Sequence, residues 1–173
     1  EVLARTGAEK LFASIKGKEA LDRHLRIGDQ VTVVKDQESI SLGKSSLTFY
    51  ETRMLHWPDS MFCFLDTGGV LFSQDAFGMH LASAERFADE LEPDILEWEL
   101  AKYFANILMP YAKLVNTRVD KTVALNLPLQ MIAPDHGPIY RKDLTWVLDR
   151  YKHYAAQKPA PSVVVAFDSM WDS

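Results

Sequence analysis

A mixed α/β fold is expected for this 173-residue chain, on three observations. Short runs of β-branched and aromatic residues cluster between positions 31 and 72, helical periodicity dominates from position 83 onward, and a further strand-like run at 130–133 interrupts it. With 47% hydrophobic and 25% charged side chains, the composition suits one ordinary globular domain with a sizeable core.

Residues 8–26 place Leu11, Phe12, Ile15, Leu21 and Leu25 at spacings that predict short amphipathic helices broken near Gly17. Four strands are predicted next, at 31–34, 47–50, 61–65 and 70–72, with Gly68-Gly69 as the hairpin turn between the last two. Together they predict a β-meander. Residues 83–91 and 94–108 read as helices parted by Pro93, the second burying Leu96, Leu100, Phe104 and Leu108 at four-residue spacing. Another helix is predicted after Pro110. Residues 130–133 predict a strand entering the turn Pro134-Asp135-His136-Gly137-Pro138, and 143–157 a helix through Leu144, Leu148, Tyr151 and Tyr154. Residues 158–161, Lys-Pro-Ala-Pro, predict a stiff linker. The run from Val163 to Phe167 is apolar at every position, which predicts a strand buried on both faces and the start of a second domain at 162–173. The first domain is then 1–157.

Charge and cysteine content exclude several functions. The net charge of −5 comes from acidic and basic side chains dispersed along the chain, so there is no basic stripe for nucleic acid. Cys63 is the only cysteine, which excludes an internal disulfide and a thiolate metal cage, and in Met61-Phe62-Cys63-Phe64-Leu65 it reads as a small core residue. No apolar run reaches the roughly 20 residues of a membrane span, and residues 1–10 lack the pattern of a signal peptide. A soluble, cytoplasmic protein is expected. Glu1 opens the chain without an initiator methionine and Trp171-Asp172-Ser173 closes it just after an apolar run, so truncation at both ends is expected.

Three polar residues stand where predicted strands give way to loops: His56, Asp75 and His136. Two imidazoles and a carboxylate offer the nitrogen and oxygen donors that iron, zinc and manganese accept, and flanking Gly and Pro fix the loops. Taken singly, a turn histidine is as readily a hydrogen-bonding loop residue, and an aspartate after a strand caps the next element.

Taken with their neighbours, the three segments resemble the metallo-β-lactamase superfamily, whose loops at one edge of an αββα sandwich deliver histidine, bridging aspartate and histidine in that order. The strings His56-Trp57-Pro58-Asp59-Ser60-Met61 and Leu71-Phe72-Ser73-Gln74-Asp75-Ala76-Phe77-Gly78-Met79-His80 resemble the flavodiiron branch, as does Ala105-Asn106-Ile107-Leu108 before Pro110. The resemblance implies the second half of the sandwich, followed by the first strand of a flavodoxin-like domain. It implies a non-haem diiron site with His56 on one iron, Asp75 bridging both and His136 on the other. It also implies FMN, a head-to-tail homodimer, rubredoxin or a flavin reductase as electron donor, and reduction of oxygen to water or of nitric oxide to nitrous oxide.

Ser169, Met170, Trp171 and Ser173 would open the FMN phosphate loop. The family's first metal motif, HxExDH, occurs nowhere in the sequence, so a missing N-terminal half is expected to complete the site and the isolated chain to be inactive. Two alternatives stand beside this reading: a dizinc hydrolase of the same superfamily, and an inert scaffold fragment. His80 reads either as a hydrogen-bonding neighbour of a ligand or as a solvated loop residue. Tyr103 reads as a pocket donor or, from its spacing with Phe104 and Ile107, as core, while Trp57 and Phe77 wall the pocket or pack. His24 and His153 are expected to be exposed.

Overall fold

The computed structural model describes residues 5–159, 161–163 and 165. Its elements, in chain order, are β1 (Leu11–Ala13), α1 (Ile15–Leu25), β2 (Val31–Val33), β3 (Ser39–Ser41), β4 (Ser46–Glu51), β5 (Met61–Leu65), β6 (Val70–Gln74), α2 (Pro93–Tyr103), α3 (Ala112–Ala124), β7 (Met131–Pro134) and α4 (Leu144–Ala155).

The main sheet has the order β3-β4-β5-β6-β7. It is an antiparallel meander as far as β6, and β7 then joins parallel to β6. The hairpin at Gly68-Gly69 forms as expected, both glycines carrying positive φ. Because β5 runs against β4 and β6, and β7 runs with β6, the β4–β5 loop and the segments after β6 and β7 all emerge at one end of the sheet. That topology gathers the three candidate residues.

The two faces of the sheet differ. Phe62, Phe64, Leu71 and Ile132 are buried on the helix side, with Leu100 and Leu108 from the α2 stretch, Val115 from α3 and Val147 and Tyr151 from α4 in the same core. The registers set Leu47 opposite Leu65, Cys63 opposite Phe72 and Val70 opposite Met131 on the other face. Those side chains are only half-buried, and Phe72 is 43% exposed. Cys63 is therefore not a core residue of the helix side but part of this second apolar face; its partial burial still raises the thiol pKa to about 11.

Several expected elements are corrected. Leu11 to Ala13 is not helical but pairs in parallel with Val31 to Val33, so that run leaves the meander for a separate two-stranded sheet. Its Phe12 ring lies 6.0 Å from that of Phe49, beside the second face of the main sheet. The helix does not break at Gly17, whose N–H donates to the Ser14 hydroxyl that caps α1. The short strand β3, Ser39-Ile40-Ser41, carries a single apolar residue and escapes sequence reading. Residues 83–91 hold only a single 3-10 turn, Ala88–Glu90, because the backbone is tied instead to Ile139: Ala88 N–H donates to its carbonyl and its N–H donates to Arg86 O.

The expected helix at 94–108 is α2 followed by a π-helical turn at Phe104–Leu108, and Leu96, Leu100, Phe104 and Leu108 are all buried. The helices after Pro110 and at 143–157 form as α3 and α4. Among the described residues no helix is long and apolar enough to cross a membrane. Val163 and Val165 are exposed and outside any strand. The rest of the apolar run to Phe167, with Ser169, Met170, Trp171 and Ser173, lies outside the described residues.

Candidate metal centre

His56 sits in the β4–β5 loop. Thr52 N–H donates to Ser60 O, Met54 N–H to Trp57 O, and Trp57 N–H to the Ser60 hydroxyl, which stitches the loop across its own base. Asp75 follows β6 in a turn closed by Ala76 N–H to Ser73 O, Gly78 N–H to Asp75 O and the buried Ser73 hydroxyl to Ala76 O. His136 follows β7, and Asp135 N–H donates back to Gln74 O, which ties the last loop to the one holding Asp75. Met54, Gln74 and Phe77, all near these residues, have φ of 66°, 51° and 67°. Left-handed backbone in non-glycine residues costs on the order of 1–3 kcal/mol and persists only where surroundings enforce it.

The three side chains meet. His56 Nε2 lies 3.2 Å from Asp75 Oδ2, and His136 Nε2 lies 3.1 Å from Asp75 Oδ1. Each oxygen of one carboxylate thus faces a different imidazole. His136 Nδ1 is 3.3 Å from Met79 O, and because a carbonyl only accepts, the contact places a hydrogen on Nδ1 and leaves Nε2 facing Asp75. A lone pair facing a carboxylate oxygen needs a cation between them, either a proton or a metal.

The spacing is that of an ordinary hydrogen bond and equally admits a metal. Bonds of about 2.1 Å to nitrogen and oxygen, at about 90–110°, separate two donors by roughly 3.0–3.4 Å, and the observed 3.1 and 3.2 Å fall in that interval. The donor set is two half-sites, one nitrogen and one oxygen each. Among the described residues no group of three or more His, Cys, Asp or Glu surrounds a single ion position.

The neighbours expected from sequence are present. Trp57 is 59% exposed with its ring 5.5 Å from that of His56. His80 lies 5.1 Å from His136, and Tyr103 meets both rings edge-on at 5.0 and 5.4 Å. His80 thus packs on the His136 ring although it is exposed, whereas Tyr103 is buried. Burial first, then the charges of Asp75 and Asp135, hold the Tyr103 hydroxyl well above its ordinary pKa. Burial and the Asp75 charge likewise raise the Asp135 carboxyl. His24 and His153 are exposed, as expected. Phe77 is fully buried and packs against Phe62 and Tyr151, which makes it core rather than pocket wall. A cleft of about 530 Å³ lined by Leu96, Tyr140, Trp146 and Arg150 contains none of the three residues.

Sequence reasoning missed Met79, whose backbone carbonyl orients His136, and Gln74, whose side-chain oxygen accepts from Met61 N–H while its carbonyl holds Asp135. Backbone groups carry no side-chain signal. The glycines beside the site were the available clue.

Residues 8–137 match a family model described as the ODP family beta lactamase. The chain belongs to that family. The rubredoxin-oxygen oxidoreductase of Megalodesulfovibrio gigas is 44% identical over 168 residues, covering 95% of this chain and 42% of that protein. A nitric oxide reductase of Moorella thermoacetica is 40% identical, over 94% of this chain and 40% of that one. The solved rubredoxin oxygen:oxidoreductase of Desulfovibrio gigas superposes with a TM-score of 0.85 at 42% identity, covering 89% of this chain and 39% of that structure. A flavo di-iron protein of Thermotoga maritima also superposes, with a TM-score of 0.78 at 30% identity over 88% of this chain and 38% of that one, so the α/β fold is that of the flavodiiron proteins. The chain spans about two-fifths of the length of the curated relatives it matches.

Proposed function

We propose that this chain carries part of the diiron centre of a flavodiiron oxidoreductase that reduces oxygen to water or nitric oxide to nitrous oxide. The observation that carries the reading is Asp75, whose two oxygens each face one imidazole nitrogen at 3.2 and 3.1 Å. A carboxylate shared between two cations needs that arrangement. In this reading Asp75 would be the carboxylate shared by two irons, with His56 on one and His136 on the other. When bound, the iron pair supplies electrons and open positions to a small diatomic substrate.

The chain's own residues orient and shield. Met79 O fixes the His136 tautomer with Nε2 inward. Tyr103 and His80 hold the plane of the His136 ring, and Tyr103 stays a phenol able to donate a hydrogen bond beside the site. Trp57 walls the open side next to His56.

Two relatives are named for oxygen and nitric oxide reduction, which supports the reaction class. FMN, a head-to-tail homodimer, rubredoxin or a flavin reductase as donor, and a cytoplasmic location belong to the same reading of the complete protein. Residues 1–157 would form the diiron part, 158–161 the linker and 162–173 the start of the flavodoxin-like domain, with Ser169, Met170, Trp171 and Ser173 toward the FMN phosphate. With one imidazole and one carboxylate oxygen per iron, the remaining ligands come from a segment bearing HxExDH, and the chain alone is inactive.

Element analysis combined with turnover tests this on the chain joined to such a segment. Iron near two per chain, with consumption of oxygen or nitric oxide, is the expected result. Zinc with thioester or lactone hydrolysis would move the assignment to a dizinc hydrolase, and lasting absence of metal would leave an inert scaffold. In the same assembly Asp75→Ala is expected to lose both metals and turnover together; normal occupancy would sink the bridge.

A further inference from the structure

The turn that carries Asp75 is gripped from the core by two side chains that have no part in the reading above. Phe77 stands two residues after Asp75 with φ at 67°, a region that a bulky residue enters only when its surroundings fix it. Its N–H donates to the Tyr151 hydroxyl at 2.6 Å, and its carbonyl accepts from the Tyr140 hydroxyl at 2.9 Å. Both tyrosines and Phe77 itself are fully buried. Tyr151 comes from α4, whereas Tyr140 is bridged to Ile132 of β7. Separate elements therefore hold the two peptide groups flanking one left-handed residue. Burial keeps both hydroxyls protonated, so the donor and acceptor roles do not change over the ordinary pH range.

We propose that Tyr140 and Tyr151 are positioning residues for Asp75: the two hydroxyls set the turn at Phe77, and through it the direction in which the carboxylate meets His56 and His136. The path is short. Gly78 N–H donates to Asp75 O and Ser73 Oγ–H to Ala76 O, so the turn moves as one piece once Phe77 is fixed. The reach toward His136 is also tight, since a Cβ on Gly78 would stand 2.8 Å from His136 O. Without the clamp, Phe77 relaxes toward ordinary φ and the carboxylate swings off one imidazole. The inference rests on the metal-centre reading only for its functional consequence; the geometric claim concerns the chain without metal.

The test uses Tyr140→Phe and Tyr151→Phe in the metal-free 173-residue chain, each removing one oxygen and leaving the ring. Tyr154→Phe is the control: it lies on the same helix, and its hydroxyl donates to Glu97 at 2.7 Å. Histidine ring nitrogens are followed by nitrogen-15 NMR, with exposed His24 as internal reference and Asp75→Asn identifying the resonances that sense the carboxylate. Both clamp variants are expected to move His56 and His136 and leave His24 in place, whereas Tyr154→Phe lowers the melting temperature without moving the pair. If one clamp variant fails to fold, the other carries the test. His56 and His136 unmoved in a folded clamp variant would overturn the proposal and reduce the hydroxyls to a stability role. Movement of the pair in a chain that takes up no metal even when joined to a segment bearing HxExDH would instead sink the metal-centre reading and leave the clamp standing.

Discussion

Asp75 and His136 meet because two loops pack backbone against backbone, and glycine at position 137 makes room for it. Gly137 has φ of 86°, and a Cβ there would stand 2.9 Å from Met79 O and Met79 Cγ. Gly43 has nearly the same φ, 88°, with nothing within 4 Å of the corresponding point. The two positions separate conformational cost from contact cost. Alanine at Gly43 is expected to cost about 1 kcal/mol through φ alone, and alanine at Gly137 about 2–3 kcal/mol, because a backbone neighbour must also give way. Urea unfolding of both variants measures the difference. Equal losses would mean that the contact between the loops is slack.

At this scale His56, Asp75 and His136 are legible in the sequence, since each is a chemically distinctive side chain at the end of a strand-like run. The grip of Tyr140 and Tyr151 on Phe77 is not. A left-handed φ and hydrogen bonds spanning 74 and 63 residues leave no local mark in the chain.

Between elements, the segment before α2 shows how tertiary pairing overrides periodicity. Residues 83–91 have helical spacing, yet the backbone there is bound to Ile139 and secured by ions. Asp89 accepts from Lys142 Nζ at 2.6 Å and from Arg141 Nε at 2.9 Å, and Arg141 also reaches Glu90. The hydrogen bond from Lys142, then that from Arg141, lowers the Asp89 pKa to about 2. The sign follows directly. A carboxylate at about 2 when folded and about 3.9 when unfolded leaves the unfolded state holding more protons between those values. Its contribution is complete above about pH 4 and is lost as pH falls toward 2. Asp89→Asn is therefore expected to flatten the acid limb of the stability profile across that window and leave the slope above pH 5 unchanged. Urea midpoints taken from pH 2 to 6 check it, and an unaltered acid limb would show that other carboxylates dominate. The helices from α2 onward are legible because an apolar stripe at four-residue spacing survives in sequence. The three-residue strands β1 and β3 are too short for any period to register.

For the whole molecule, the main sheet has one face under helices and one that nothing among the described residues fully covers. The registers align Leu47 with Leu65, Cys63 with Phe72 and Val70 with Met131, yet these apolar side chains are only half-buried. A contiguous apolar sheet face left half-exposed marks an interaction surface. The two-stranded sheet of β1 and β2 touches its corner through Phe12 on Phe49. The chain spans 39% of the solved oxidoreductase it matches, and in the reading proposed above its donor set stops at one nitrogen and one oxygen per iron. In that reading one further layer would supply both the cover and the remaining ligands.

Phe72, the most exposed apolar side chain of the central strands, tests that coupling. Phe72→Glu places a charge at the centre of the face and leaves the helix-side core untouched. In the chain alone it is expected to lower binding of an apolar fluorescent dye while the far-ultraviolet dichroism stays unchanged. With a polypeptide carrying HxExDH supplied, the parent chain is expected to take up iron and the variant to remain empty, although none of His56, Asp75 and His136 has been altered. Iron uptake equal to the parent's would mean that the face is not the joint and that the second half of the site arrives by another route.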